Sequence, residues 1–251
     1  MEDLLVVGIG PGNAGGMTID ARAAILEADV IAGYKTYIDI LKNAESALLS
    51  TKEIISTGMT QEEERVILAL KSAAAGKKTA LVCSGDAGVY ALSSLALSLA
   101  PRFGVGVEIV PGVTVALSGA ALLGSPLTND FAVVSLSDRL TPWEKIEKRL
   151  RATSLGDFCV VLYNPRSKTR TDTLFRAAKI LLENRAEHTV CGFVKNVGRN
   201  AEEWGILTLL ELCDFEADMF STIFVGNSDT KIIQVGNKKR MVTERGYGVS
   251  A

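Results

Sequence analysis

The sequence predicts an α/β fold in two halves, the first built on a mainly parallel sheet and the second on a mixed one. Three observations carry this. Short apolar runs of strand length recur along the chain, among them residues 4–9, 79–83 and 158–163, and each reads as a buried strand. Stretches of helix length lie between them, so strand and helix alternate about five times before residue 125, the signature of a parallel sheet. Ser125-Pro126-Leu127-Thr128-Asn129-Asp130 then interrupts the alternation and reads as a hinge. It separates an N-terminal α/β domain over 1–127 from a C-terminal mixed α/β domain over 131–251.

Residues 4–9 open the chain as a strand and run into Gly8-Ile9-Gly10-Pro11-Gly12-Asn13, where the glycines let something pack against the backbone. Residues 18–28 read as a helix with Thr18 as its N-cap and Ala24, Ile25 and Ala28 on its apolar face. A short strand over 30–32 ends at Gly33-Tyr34-Lys35-Thr36-Tyr37, either an amphipathic rim or a ligand wall. A helix over 38–46 and a strand over 53–56 follow. Thr60 with Glu63 fits a capping box for a helix that runs to Ala75 and stops at Gly76. The strand over 79–83 ends at Ser84-Gly85-Asp86-Ala87-Gly88, and residues 89–99 read as the next helix. A strand over 107–110 leads into Pro111-Gly112-Val113-Thr114 and a helix over 115–123 whose small, smooth surface suits close packing.

In the second half, residues 131–136 form a strand, and Pro142 suits the start of a helix that runs to Ala152. The strand over 158–163 ends in Asn164-Pro165-Arg166-Ser167. A helix over 171–184 precedes a strand over 189–194 with Lys195 at its end. Strands over 204–208 and 221–225, the latter followed by a turn at Gly226-Asn227-Ser228, give this half its mixed character. Residues 238–251 read as a short extended tail.

The 251 residues are 47% hydrophobic and carry a formal net charge of -2. That balance offers no general attraction to nucleic acid or to an anionic membrane, so an acidic ligand must meet a local basic patch. Cys83, Cys159, Cys191 and Cys213 are widely spaced and mostly inside apolar runs, and His188 is the only histidine. They read as buried reduced thiols, not as a disulfide framework or a metal site. His188 falls in a polar connection and reads as a surface residue. No apolar run reaches the ~18–20 residues of a membrane span. The acidic start runs straight into a strand, unlike a signal peptide, so a cytoplasmic location is expected.

Ligands of open α/β sheets bind beyond the carboxyl ends of the strands. Four loops stand at such ends: residues 8–12, 84–88, 111–114 and 163–167. The first is not a dinucleotide fingerprint. Its third glycine position falls on Asn13, Pro11 stiffens the turn, and Asp29 precedes its strand where an acidic residue should close it. These features count against a nucleotide-dependent oxidoreductase. Asp86 puts a carboxylate in the second loop, either as a cap for the following helix or as part of a site.

The order and spacing of the four loops resemble the tetrapyrrole (corrin and sirohaem) methyltransferase family over essentially the whole chain. Within it, residues 33–37, Leu136-Ser137-Asp138-Arg139-Leu140-Thr141-Pro142-Trp143-Glu144 with Ile146-Glu147-Lys148-Arg149, and residues 163–167 are similar to the enzymes that methylate C17 at the ring-contraction step of cobalamin biosynthesis. Ser56-Thr57-Gly58-Met59 with Glu63-Glu64-Arg65 resembles their anaerobic, cobalt-factor III branch more than the oxygen-dependent, precorrin-3B branch. Many relatives carry proline after the aspartate of the central loop, where this chain has Ala87.

The resemblance implies two domains with the active-site cleft between them, a homodimer, S-adenosylmethionine as methyl donor, S-adenosylhomocysteine as product, and no protein-bound metal. It implies a donor site lined by Pro11, Ser84, Gly85, Asp86, Val89, Tyr90, Thr114, Val115, Tyr163 and Asn164. The macrocycle carries several carboxylates, which makes Lys35, Arg166 and Lys195 the substrate-binding candidates; Arg139, Lys168 and Arg170 lie in similar loops. Asp86, Asp138 and Lys195 are the candidate catalytic residues for acid–base steps beyond methyl transfer. Methyl transfer is an in-line displacement, and holding donor and acceptor in line supplies roughly 7–11 kcal/mol. A carboxylate ~4 Å from the sulfonium would gain roughly 4 kcal/mol at an effective dielectric of about 20. That gain is largest before the methyl leaves, so it would tighten binding and slow transfer. Asp86 is therefore expected to organise its loop, bind a polar edge of the donor or face the substrate. Glu144, Lys145, Glu147, Lys148 and Arg149 read as a solvated helix face. Two alternatives remain open: the same chemistry on another ring carbon or on precorrin-3B, and a tetrapyrrole carrier, which would not need the first three loops.

Overall fold

The computed structural model describes residues 2–167 and 169–246. The chain forms two compact units, Met1–Val115 with Gly198–Asn200, and Ala116–Val197 with Ala201–Ala251.

The first unit runs β1 (Leu4–Gly8), α1 (Ile19–Glu27), β2 (Val30–Tyr34), α2 (Lys35–Ala44), β3 (Glu53–Thr57), α3 (Glu62–Ala74), β4 (Thr79–Cys83), α4 (Ser93–Leu99) and β5 (Val107–Val110). Its five strands are all parallel, in the order β3-β2-β4-β1-β5. Alternation along the strands divides the core into two layers. Leu4 and Val6 of β1 and Leu81 and Cys83 of β4 pack with Val66, Leu70, Ala96 and Leu99 of α3 and α4. Val7, Ala80 and Val82 pack on the other side with Ala21, Ile25, Ile38 and Leu41 of α1 and α2. The chain leaves β1 toward β2 but leaves β4 toward β5, in the opposite direction. Right-handed crossovers then send α1 and α4 to opposite faces, which opens a crevice beyond the adjacent ends of β1 and β4.

Several local expectations change. The helix after β2 starts at Lys35, so Lys35 and Tyr37 lie in its first turn. Thr18 caps α1 as expected, its hydroxyl accepting from the Ala21 amide at 3.1 Å. The capping box at Thr60 does not form. Thr60 has φ +70, and the side chain of Gln61 instead accepts from the Gly58 amide at 2.6 Å. The helix expected from Val89 begins only at Ser93, because Tyr90 takes the left-handed conformation at φ +53.

The second unit holds α5 (Val115–Leu123), β6 (Gly124–Ser125), β7 (Phe131–Ser135), α6 (Trp143–Leu155), β8 (Cys159–Tyr163), α7 (Thr173–Leu182), β9 (Val190–Lys195), β10 (Glu203–Thr208), α8 (Leu209–Leu212), β11 (Ser221–Val225), β12 (Thr230–Val235) and β13 (Lys238–Thr243). Its main sheet has the order β10-β9-β11-β8-β7, in which only β7 and β8 pair in parallel. A core of Leu136, Ile146, Leu150, Leu162, Leu181 and Ile223 packs α6 and α7 on it. The smooth helix α5 does lie close on strands: a Cβ on Gly119 would stand 2.8 Å from Val194 Cγ2 and 3.2 Å from Phe224 Cζ.

The expected tail is instead a hairpin strand. β12 and β13 pair in antiparallel register around Gly236-Asn237, with Gly236 at φ +57 as a two-residue type II′ turn requires. Residues 247–251 lie outside the described residues. β13 also pairs in parallel with β6, and the Thr243 hydroxyl donates to the Pro126 carbonyl at 2.7 Å. The stretch read as a hinge therefore starts as a paired strand of the second unit. The charges of Lys238, Lys239 and Arg240 had hidden this edge, which takes its order from main-chain pairing.

Candidate active site

Three loops meet beyond β4, β1 and β5, neighbours in the first sheet. Gly10 and Gly85 form a two-residue antiparallel bridge, Gly10 N donating to Gly85 O at 3.0 Å and Gly85 N to Gly10 O at 2.8 Å. Both sit at positive φ, +73 and +70, which glycine adopts without a Cβ penalty. The third loop lies against this bridge. A Cβ on Gly112 would stand 2.2 Å from the Gly85 carbonyl oxygen and 2.5 Å from that of Gly8, so backbone alone fits there.

Asp86 locks the same arrangement. Its Oδ1 accepts from the Gly88 amide at 2.8 Å and its Oδ2 from the Gly112 amide at 3.0 Å. Each carboxylate oxygen thus has an amide partner, one in its own loop and one in the loop after β5. The alternative role as a helix cap falls away, because α4 begins seven residues further on, at Ser93. Ser84, Gly85 and Val89 are half-buried around Asp86, and Tyr90 is 53% exposed. Pro11 is buried, while Thr114 and Val115 lie half-buried where β5 passes into α5.

Two arginines belong to this region: Arg199, which the sequence did not single out, and Arg65, which it marked only as part of a branch-specific stretch. Arg199 donates from Nε to the Pro11 carbonyl at 2.9 Å and from Nη2 to the Ser84 hydroxyl at 2.7 Å. Arg65 is 4% exposed and donates to Thr57 Oγ1 at 2.7 Å and to the Gly58 carbonyl at 2.8 Å. Its guanidinium lies 5.6 Å from the centre of the Tyr34 ring, and Tyr34 meets Tyr37 edge-on at 5.2 Å between ring centres. Burial raises the Tyr37 phenol above its ordinary pKa, with Cys83 adding to the rise and Arg199 and Arg65 opposing it. The tyrosines after Gly33 therefore pack with cations at the carboxyl end of the sheet. Lys35, one residue after Tyr34, is exposed. Arg199 stands 188 residues from Pro11, and its only local signal was a glycine-arginine pair shortly after a strand end.

In the second unit the predicted residues cluster beyond the parallel pair β7 and β8. Tyr163 ends β8, and its hydroxyl accepts from the Ala116 amide in the first turn of α5 at 2.9 Å. Asn164 follows at φ +54 and donates to the Ser135 hydroxyl at 2.9 Å. Arg166 is half-buried, and Thr173 ties the loop down by donating to the Pro165 carbonyl at 2.6 Å. Arg170 reaches Asp138 at 3.5 Å and the Ser167 hydroxyl at 3.1 Å, so this candidate acid is paired with an arginine. Arg139 is exposed, and Lys168 lies outside the described residues. Lys195 ends β9 and pairs with Asp218 at 2.7 Å. The hydrogen bond to Asp218 raises the pKa of its ammonium, which keeps it protonated and unsuited to act as a base. His188 lies in the connection before β9, exposed as expected.

The family of tetrapyrrole (corrin/porphyrin) methylases matches residues 3–213. The chain belongs to that family. It is a methyltransferase, as the resemblance of the four loops implied. It is 43% identical over 247 residues to the probable cobalt-factor III C(17)-methyltransferase of Salmonella typhimurium, covering 97% of this chain and 99% of that protein. It is also 43% identical over 250 residues to the cobalt-factor III methyltransferase of Priestia megaterium, where 97% of this chain spans 45% of the longer relative. Among solved structures, the methyltransferase CobJ aligns with a TM-score of 0.85 at 34% identity, over 97% of this chain and 100% of that one. No helix among the described residues is long and apolar enough to cross a membrane.

Proposed function

We propose that this protein transfers a methyl group from S-adenosylmethionine to C17 of cobalt-factor III, with ring contraction, in the anaerobic route to cobalamin. The observation that carries the reading is the 43% identity to the Salmonella relative across nearly the whole of both chains. The first unit's mouth suits the donor. Its walls are glycine backbone packed loop against loop and one carboxylate bonded to two of the loop amides. Bound S-adenosylmethionine supplies the methyl group on a sulfonium centre. Pro11, Ser84, Gly85, Val89, Tyr90, Thr114, Val115, Tyr163 and Asn164 are the residues assigned to hold it. Asp86 fixes the shape of the mouth through the Gly88 and Gly112 amides, a role that adds no ground-state attraction to the sulfonium. Lys35, Arg166 and Lys195 bind the acidic macrocycle, Arg166 through a planar fork that matches a carboxylate. The protein works as a homodimer in the cytoplasm, with an N-terminal α/β domain over 1–127 and a C-terminal mixed α/β domain over 131–251.

The test is incubation with cobalt-factor III and isotopically labelled donor, followed by mass spectrometry and NMR location of the new methyl. A methyl on C17 is the expected result. A methyl on another ring carbon, or turnover of the cobalt-free macrocycle alone, would overturn the assignment. Arg166→Ala should raise the macrocycle KM about tenfold and leave donor affinity unchanged, and the opposite pattern would remove Arg166 from the substrate site.

A further inference from the structure

We propose that Arg199 is a positioning residue for the methyl donor, holding the loops after β1 and β4 in their binding shape by clamping the Pro11 carbonyl and the Ser84 hydroxyl. The inference rests on the donor reading above and goes beyond it by assigning a residue outside the family's glycine loops.

The clamp is built from both sides. A Cβ on Gly12 would stand 2.5 Å from Arg199 Cγ and 2.8 Å from its Nε, so the first loop has glycine where the arginine stem crosses it. A Cβ on Gly198 would stand 2.8 Å from Asn13 Nδ2, so the arginine's own segment has glycine where it meets the first loop. The two segments interlock through absent side chains. The arginine's segment is also conformationally committed, with Asn196 at φ +52, Gly198 at +71 and Ala201 at +58. Left-handed geometry at two non-glycine residues persists only where the surroundings enforce it.

The chemistry of the partners is equally specific. None of the described carboxylates pairs with Arg199; its acceptors are a carbonyl and a hydroxyl. Burial pulls its pKa below the ordinary arginine value, with Tyr37 opposing. A guanidinium held in this way has its geometry fixed by two neutral acceptors on two different loops. Its two acceptors belong to loops that also form the Gly10–Gly85 bridge, so removing it frees the edge of that bridge to shift.

The test measures donor binding by calorimetry, and KM and kcat with the macrocycle, for wild type, Arg199→Gln, Arg199→Lys, Ser84→Ala and the Ser84→Ala/Arg199→Gln double variant. Arg199→Gln should weaken donor binding at least tenfold while kcat at saturating donor stays within about twofold. Arg199→Lys should recover part of the loss, because one ammonium can reach one of the two acceptors. The double variant should lose clearly less than the sum of the single losses, since both substitutions break one contact. Donor affinity unchanged in a folded Arg199→Gln protein, or additive losses, would overturn the clamp. If Arg199→Gln does not fold, Arg199→Lys decides: it should weaken donor binding several-fold, and wild-type affinity in it would overturn the proposal. A wild-type protein that binds no donor overturns the donor reading and the clamp together, whereas normal wild-type binding matched by the variants overturns the clamp alone.

Discussion

In the first unit, the loops beyond β1, β4 and β5 are tied by main-chain groups: the Gly10–Gly85 bridge, and the Gly88 and Gly112 amides held by Asp86. In the second, the loops beyond β7 and β8 share one main-chain bond, from Leu136 N to the Tyr163 carbonyl at 2.8 Å, and are otherwise joined to each other by side chains. Asn164 meets Ser135, Arg170 meets Asp138 and Ser167, and the Tyr163 hydroxyl meets the start of α5. Both regions stand at the carboxyl ends of parallel strands, yet they differ in what a mutation can remove. A main-chain lattice tolerates almost no added atom, because its spaces are set by peptide groups that cannot rotate away. A side-chain lattice can lose a member and keep its backbone. The first arrangement suits a site of constant shape, and the second a surface that can exchange side chains without moving its backbone.

The sharpest way to break this contrast is Asp86→Ala. It deletes both acceptors at once, and charge-assisted hydrogen bonds contribute about 1.5–3 kcal/mol each. Donor binding should fall below detection in calorimetry and turnover should cease; near-normal activity would mean that the main-chain lattice holds itself. Next comes a matched pair of glycine substitutions. Gly112→Ala places its methyl against two carbonyl oxygens, and Gly119→Ala places it against the side chains of Val194 and Phe224. The first should abolish donor binding. The second should cost about 1–3 kcal/mol of stability by overpacking and spare donor affinity. Equal effects on donor affinity would erase the distinction. Tyr163→Phe is milder: it removes one acceptor from the start of α5 and should lower stability by about 1 kcal/mol in thermal melts.

The smallest effect concerns pH and the Lys195–Asp218 pair. Burial alone would raise Asp218, but hydrogen bonds from Lys195, the Ser221 hydroxyl and the Phe220 amide bring it below its ordinary value of 3.8. Lys195 is raised above 10.5 by the same contact. A lowered acid stabilises the fold above its ordinary pKa and loses that contribution as pH falls through the lowered value. A raised base stabilises below its ordinary pKa and loses the contribution as pH rises through the raised value. Asp218→Asn should therefore lower the melting temperature slightly between these limits, converge with wild type at low pH, and show a narrowed gap at high pH, where Lys195 is neutral but Ser221 and Phe220 still donate. A gap that persists at low pH would show that the pair contributes through packing alone.

Much of the first unit was legible because its signals are local. Residues 79–83 and 107–110 alternate or run apolar as strands must, and the glycine loops announce themselves by composition. The bounds of α5 follow from Thr114 and Gly124 at its ends. What escaped depends on contacts that no window of sequence contains. Tyr90 looks like a helix residue until the Asp86 turn forces the chain through a left-handed step. Thr60 and Glu63 have the letters of a capping box, but Gln61 is already engaged with Gly58. The strand at 238–243 carries three consecutive cations and draws its order from partners at 230–235 and 124–125. Arg199 is the extreme case, since its meaning lies in Pro11 and Ser84.

The placement of Arg199 also bears on how the chain is made. The first sheet has all its strands once Val110 has been synthesised, yet the pin that braces two of its loops emerges only after β9. Likewise β6 must wait for β13 to reach it. A nascent chain therefore carries all five strands of the first sheet well before Arg199 is made, and the binding mouth is braced only after that residue has left the ribosome.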